Sequence, residues 1–190
     1  WKIEKRLDNV LDYTTNVDKI KIDKNYNDNY YDLHNVLEYV EADYKTEEQF
    51  FVSGINCSPK TVLEEMTITK EQYGKKDGIL GFHAFQSFAE GEVTPEQCHA
   101  IGVRLAEEMW GDRFEVVVST HINTNHYHNH FVINSVSFKD GKRYYDKRET
   151  YAELRRLSDS LCEEYELSVI QEKPCRNSKI NFANYQKDLN

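Results

Sequence analysis

The chain has 190 residues, with 24 Lys plus Arg against 33 Asp plus Glu, giving a net charge of −9, and 39% of its residues are hydrophobic. That length suits one domain, and 13 tyrosines and 9 phenylalanines with only 3 prolines and 8 glycines exclude a low-complexity or collagen-like chain. No apolar run approaches the ~20 residues that cross a bilayer, and no charged-then-apolar leader opens the chain, so a soluble protein of the cytoplasm is expected. Trp1 in place of an initiator Met, and a polar end at Asn190, read as a piece of a longer polypeptide.

Taken in chain order, residues 1–3 predict a strand, followed by a helix ending near Tyr13 on which Leu7, Val10 and Leu11 recur at helical spacing. Residues 17–30 are polar and predict a loop. A second helix at 32–39 echoes the first, with Leu33, Val36 and Leu37 in the places of Leu7, Val10 and Leu11. Residues 49–57 predict a strand, and Ser58-Pro59 predicts the cap and first position of a helix reaching Tyr73. A strand at 79–88 precedes Thr94-Pro95-Glu96-Gln97, a capping box for a helix that turns Cys98, Ile101, Leu105 and Met109 inward and stops at Gly111. Strands at 114–121 and 128–138 follow. Asp140-Gly141 then predicts a hairpin turn into a strand at 143–145, and residues 149–166 a helix burying Leu154, Leu157, Leu161 and Tyr165. A last short strand holds Val169 and Ile170. With no linker at which to divide the chain, this is a single α+β domain.

Four of the seven histidines, His121, His126, His128 and His130, fall within ten residues. Strand alternation puts His128 and His130 on one face, with Phe131 and Ile133 on the other, toward the core. His121 ends the preceding strand, and the six residues before His128 are enough to turn the chain back. Three neutral imidazoles converging on one point make a divalent-metal site with open positions, suited to zinc, manganese, cobalt or nickel. His126 shares the parity of His128 and is a fourth ligand, a substrate contact or a group that orients a ligand. No His-Glu-x-x-His frame of a zinc protease and no Pro-Cys-x-x-Cys of a deaminase is present. Cys57, Cys98, Cys162 and Cys175 show no CxxC spacing and read as reduced, mostly buried thiols.

The acidity opposes a nucleic-acid partner, but it is uneven. Residues 139–156 carry seven basic side chains against four acidic ones. A basic face including Lys142, Arg143, Lys147 and Arg148 is therefore the candidate DNA contact.

The run His121-Ile-Asn-Thr-Asn-His126-Tyr-His128-Asn-His130-Phe-Val-Ile-Asn134, preceded by an apolar strand and followed by Ser135-Val-Ser-Phe138, resembles the metal motif of conjugative relaxases of the P-type mobilisation class. Val52 to Pro59, His83 to Glu92 and Leu161 to Ile170 are similar to further motifs of that family, in order, so that the likeness spans residues 1–172 and leaves 173–190 as a polar tail. The resemblance implies a central antiparallel sheet flanked by helices and a metal, Mn²⁺ or Mg²⁺ in function, on His121, His128 and His130. It further implies a tyrosine that nicks one strand at an origin of transfer and stays joined to the 5′ phosphate. His126 is placed in the catalytic set.

Two tyrosines fit the nucleophile's motif. Tyr13 fits by its distance from the first strand and by Asn16; Tyr39 fits by its distance to Val52 and by Lys45-Thr46. An insertion at about 17–45 explains both matches, and Tyr13 is preferred. Asn123 stands where many relatives have Asp and cannot act as a base, while Asn129, between the two claw histidines, stands where the wider endonuclease class is usually apolar. The partners implied are single-stranded and hairpin origin DNA, an accessory DNA-binding protein and a type IV coupling protein, with no membrane or small-molecule substrate. A rolling-circle replication initiator, or a metal-containing DNA-binding module without catalysis, are the alternatives.

Overall fold

A computed structural model describes residues 2–4, 7–16 and 51–170. The strands are β1 (Lys2–Ile3), β2 (Val52–Ile55), β3 (Gly81–Ser87), β4 (Val116–His121) and β5 (His128–Asn134). The helices are α1 (Leu7–Thr14), α2 (Val62–Gln72), α3 (Pro95–Trp110) and α4 (Arg148–Glu164). All pairings are antiparallel, in the order β1-β3-β5-β4-β2, so the expected α+β architecture holds and β5 is the central strand. The predicted helix at 32–39, the alternative nucleophile Tyr39, the insertion at 17–45, Cys175 and the tail from 173 lie outside the described residues. Among the described residues, no helix is long and apolar enough to cross a membrane.

Both faces of the sheet are covered, which is why β5 is buried almost throughout. On one face Val116, Val118, Phe131 and Ile133 pack against Cys98, Ile101, Leu105 and Trp110 of α3 and Leu161 of α4. On the other, Val117 and Val132 meet Leu7 and Leu11 of α1 and Val62 and Met66 of α2. Burial of these side chains, at ~1.5–3 kcal/mol each, dominates the stability.

Polar residues pin β5 at both ends. Asn129 is fully buried on the α3 face, where its Nδ2 donates to the Cys98 carbonyl (2.8 Å) and to Gln86 Oε1 (3.1 Å) while its Oδ1 accepts from Thr120 Oγ1 (2.5 Å) and Cys98 Sγ (3.6 Å). Every hydrogen-bonding position of that amide is therefore used. Asn134, on the opposite face, accepts from Lys70 Nζ (2.5 Å) and donates to Glu115 Oε2 (2.9 Å). Burial pushes the Lys70 ammonium down to about 8.

Several element ends differ from expectation. Ser58-Pro59 does not cap α2. The proline instead opens a turn closed by the Thr61 N–H on the Ser58 carbonyl (3.1 Å), and the helix starts after Thr61, whose hydroxyl donates to Glu65. The capping box at Thr94 and Gln97 is present, but Gly111 closes α3 in the right-handed region (φ −61°). Its role is steric, since a Cβ there would lie 2.7 Å from the Glu107 carbonyl oxygen. Residues 135–138 and 143–145 form no strands. Only the Val136–Arg143 bridge survives, around Gly141 at φ +67°, because Phe82, Phe114 and Trp110 draw Tyr144 into the core. Val169 and Ile170 are not a strand either. Glu166, at φ +59°, ends α4 with the Leu167 N–H returned to the Cys162 carbonyl (2.8 Å), and the chain leaves across the core.

Gly102 marks where α3 lies closest to β5. A Cβ there would lie 2.5 Å from Asn129 Nδ2 and 2.6 Å from its Cγ. Gly102→Ala is expected to lower stability by about 1–3 kcal/mol in urea denaturation, through overpacking; an unchanged midpoint would show that α3 can move off the sheet without loss.

Candidate active site

The three histidines meet because of strand register. His121 pairs directly with His128 at the end of β4 and β5 that the 122–127 connection closes, and His130 lies two residues further in, opposite Ser119 on one side and Phe85 on the other. All three side chains share the face that carries α1 and α2. One nitrogen from each ring can be chosen so that all lie within 4.8 Å of one another, and the ring centroids are 4.3–5.1 Å apart. The predicted cluster is thus assembled by the fold.

Hydrogen bonds fix which nitrogen two of the rings present. His121 Nε2 lies 2.8 Å from the Thr14 carbonyl and His128 Nδ1 lies 2.9 Å from the His126 carbonyl. A carbonyl only accepts, so each of these nitrogens carries the proton, leaving Nδ1 of His121 and Nε2 of His128 as lone pairs. In the third ring, Nδ1 of His130 lies 2.8 Å from Nε2 of His83, and the two rings lie side by side, nearly coplanar, with centroids 4.9 Å apart and planes at 18°. His83 is buried, which pushes its imidazole down to about 4 and keeps it neutral at pH 7.

Tyr13 stands at this cluster. Its ring is edge-on to His121 at 5.9 Å and to His130 at 6.0 Å, and it is 46% exposed. The helix end explains the placement. The last carbonyls of a helix lack intrahelical partners, and here the Thr14 carbonyl finds one in His121. Sequence reasoning found His121 and Tyr13 but missed Thr14, whose contribution is a main-chain atom with no residue-type signal.

Other predicted site residues lie elsewhere. His126 is exposed in the β4–β5 connection. Its Nδ1 is directed at the Phe88 carbonyl (3.3 Å), so its contribution to the triad is through its own carbonyl on His128. Asn123 is exposed in the same connection. Of the basic run, Lys139, Lys142 and Arg143 lie beyond the far end of β5, roughly 20 Å along the strand from His128, whereas Lys147 and Arg148 open α4 and Arg155 and Arg156 lie further along it, close to Ser158, which bonds Gln86 at the histidine end. Among them Arg143 is committed to the carbonyls of Lys75, Asp77 and Ile79, while Lys142, Lys147 and Arg148 are exposed. Burial pushes the Cys57 thiol up to about 12 and the Cys98 thiol higher still, so neither is a nucleophile at neutral pH.

The model of the family described as "Relaxase: MobA/VirD2-like, nuclease domain" matches residues 39–167. The chain belongs to that family. This relaxase nuclease domain is 40% identical over 130 residues to Protein rlx of Staphylococcus aureus, covering 68% of this chain and 40% of that protein. It is 26% identical over 223 residues to the group II intron-interrupted relaxase LtrB of Lactococcus lactis subsp. cremoris, covering 96% of this chain and 38% of that protein. The domain thus spans about two fifths of the length of these curated relatives. A solved structure from work on "Molecular Basis of Vancomycin Resistance Transfer in Staphylococcus aureus" is similar over 63% of this chain and 72% of its own, with 15% identity and a TM-score of 0.46.

Behind the triad, on the α3 face, His99 links Ser53 Oγ and Thr120 Oγ1, each at 2.8 Å, and burial pushes its imidazole down to about 4. The unfolded chain takes up this proton near pH 6.5 and the folded domain does not, so between pH 6.5 and pH 4 the unfolded state binds more protons and stability falls as pH falls. His99→Gln is expected to show a shallower decline of the urea midpoint than the parent across that window. An equal decline would mean that His99 charges freely in the folded state.

Proposed function

We propose that this domain nicks one DNA strand at an origin of transfer, with Tyr13 as the nucleophile, and so starts conjugative transfer of a plasmid or integrative element. The observation that carries this reading is the seating of Tyr13 edge-on against two of three convergent imidazoles. Membership of the relaxase nuclease-domain family supports it.

The triad fits a divalent cation on its own chemistry: it consists of three neutral donors, two of them already oriented by main-chain acceptors. His121, His128 and His130 would hold the ion, Mn²⁺ or Mg²⁺ in function, with Zn²⁺, Co²⁺ and Ni²⁺ also suited to imidazole. Bound there, it would neutralise charge on the scissile phosphate. The Tyr13 oxygen attacks phosphorus in line, forming a Tyr–O–P bond and breaking the bond to the 3′ oxygen. The phenolic proton is released, and the 3′ oxygen leaves as a hydroxyl after protonation. The 5′-phosphotyrosine ester preserves the bond energy, so the reverse attack reseals the strand. His126 acts in this scheme by orienting His128.

Phe85, 44% exposed and opposite His130, offers a ring on which a base of the single strand can stack. Lys142, Lys147 and Arg148 are the proposed phosphate contacts for DNA beyond the nick, including an origin hairpin. At a net charge of −9, an accessory DNA-binding protein and a coupling protein supply the rest of the affinity and the delivery.

The decisive assay incubates the domain with a single-stranded origin oligonucleotide and Mn²⁺ and looks for a covalent adduct on a denaturing gel. Tyr13→Phe is expected to abolish the adduct and Tyr39→Phe to leave it intact; the opposite pattern would move the nucleophile to Tyr39, and no adduct from the parent on its cognate origin would sink the nicking activity itself. For binding, replacing Lys142, Lys147 and Arg148 together by Gln is expected to make the log–log salt dependence shallower by about 2 on single-stranded DNA. An unchanged slope would take these cations off the DNA path.

A further inference from the structure

The family and the triad leave His83 without a role, although it is a polar residue 3% exposed in the middle of a sheet. Such a group needs a reason to be there, because a Val or Phe would fill the same volume without desolvating a ring nitrogen. His83 lies on β3 opposite Val132, hence on the same face as His130 and diagonal to it. That diagonal is within reach of a long side chain. The result is a 2.8 Å contact between Nε2 of His83 and Nδ1 of His130.

Two nitrogens in contact must divide the roles of donor and acceptor. His121 and His128 each have one nitrogen tied to a carbonyl, which forces the tautomer; an imidazole partner forces nothing by itself. We propose that His83 is the positioning residue of the triad, accepting the Nδ1–H of His130 so that the Nε2 lone pair of His130 is the one offered to the ion. This rests on the reading of the triad as a metal site. The geometry suits the role in three ways. The two rings are nearly coplanar, 18° apart, which lines the ring nitrogens up edge to edge, so His130 cannot rotate without losing the contact. The surroundings are dry, so water does not compete for the nitrogen. And a neutral acceptor orients the ligand without adding negative charge beside a site that must receive a phosphate.

The test measures metal, not nicking. The 190-residue chain is stripped with chelator and titrated with Co²⁺ or Mn²⁺ by calorimetry, with the Co²⁺ absorption bands as a second readout. His83→Phe retains a buried ring but no acceptor, and is expected to weaken binding roughly 10- to 100-fold with the urea midpoint of the metal-free protein held or raised. His83→Gln, which restores an acceptor, is expected to recover part of the affinity. Long-range ¹H–¹⁵N spectra of the imidazoles in the parent loaded with diamagnetic Zn²⁺ are expected to show His130 protonated at Nδ1. Parent and His83→Phe binding with equal affinity would overturn the proposal while leaving the metal site standing, as would His130 coordinated through Nδ1. A parent that binds no divalent ion would remove the triad reading and the proposal with it. If His83→Phe fails to fold, the spectra of the parent decide alone.

Discussion

The site depends on the register of one strand. β5 carries chemistry on one side and its own anchor on the other: His128 and His130 face α1, while Asn129 between them faces α3 and is held there by every hydrogen bond an amide can make. A slip of one residue would send both imidazoles into the hydrophobic layer and the amide toward the face that carries α1 and α2. An apolar residue at 129 would fill the space but leave the slipped register less costly. The buried amide penalises the slip directly, because its partners on β3, β4 and α3 would all be left unsatisfied. The approach of Gly102 then follows, since α3 can supply the Cys98 carbonyl only by lying this close to the strand.

Much of this was legible in the sequence, for reasons that can be named. Period-two alternation alone placed His128 and His130 together and set Phe131 and Ile133 opposite, and a six-residue connection was enough to return His121 to them. The capping box at Thr94 was readable because both partners are side chains with a fixed spacing. What escaped was of a different kind. The turn at Ser58 competes with a helix cap that uses the same residues, and Glu65, a turn further on, accepts from both the Ser58 N–H and the Thr61 hydroxyl. Asn129 stood out only as a polar residue where an apolar one is usual, because a sheet covered on both faces cannot be told from a sheet covered on one by a single polar residue. Tautomers depend on main-chain carbonyls, which the sequence does not distinguish.

The charge distribution also reads differently once placed in space. A run of cations in the sequence need not be a patch on the molecule: Arg143 spends its guanidinium on carbonyls of the 75–79 segment, and Lys139 and Arg113 pair with Asp112 and Asp140. Of the rest, Lys142 stands at the end of the sheet away from the histidines, Lys147 and Arg148 open α4, and Arg155 and Arg156 lie further along that helix. Because β5 is covered on both faces, DNA touching both the histidines and Lys142 would have to cross the outer surface over a length of several nucleotides.

The hydrogen bond from His121 to the Thr14 carbonyl joins two parts that sequence keeps more than a hundred residues apart. It ties the seating of α1 to the orientation of a ligand imidazole, so whatever steadies one steadies the other by the same free energy. An ion in the triad would hold the helix end down, and with it the tyrosine. Conversely, tension on a strand attached to Tyr13 would be felt at His121. On the reading proposed above, in which Tyr13 carries the transferred strand, that contact would pass the strand's load to the triad.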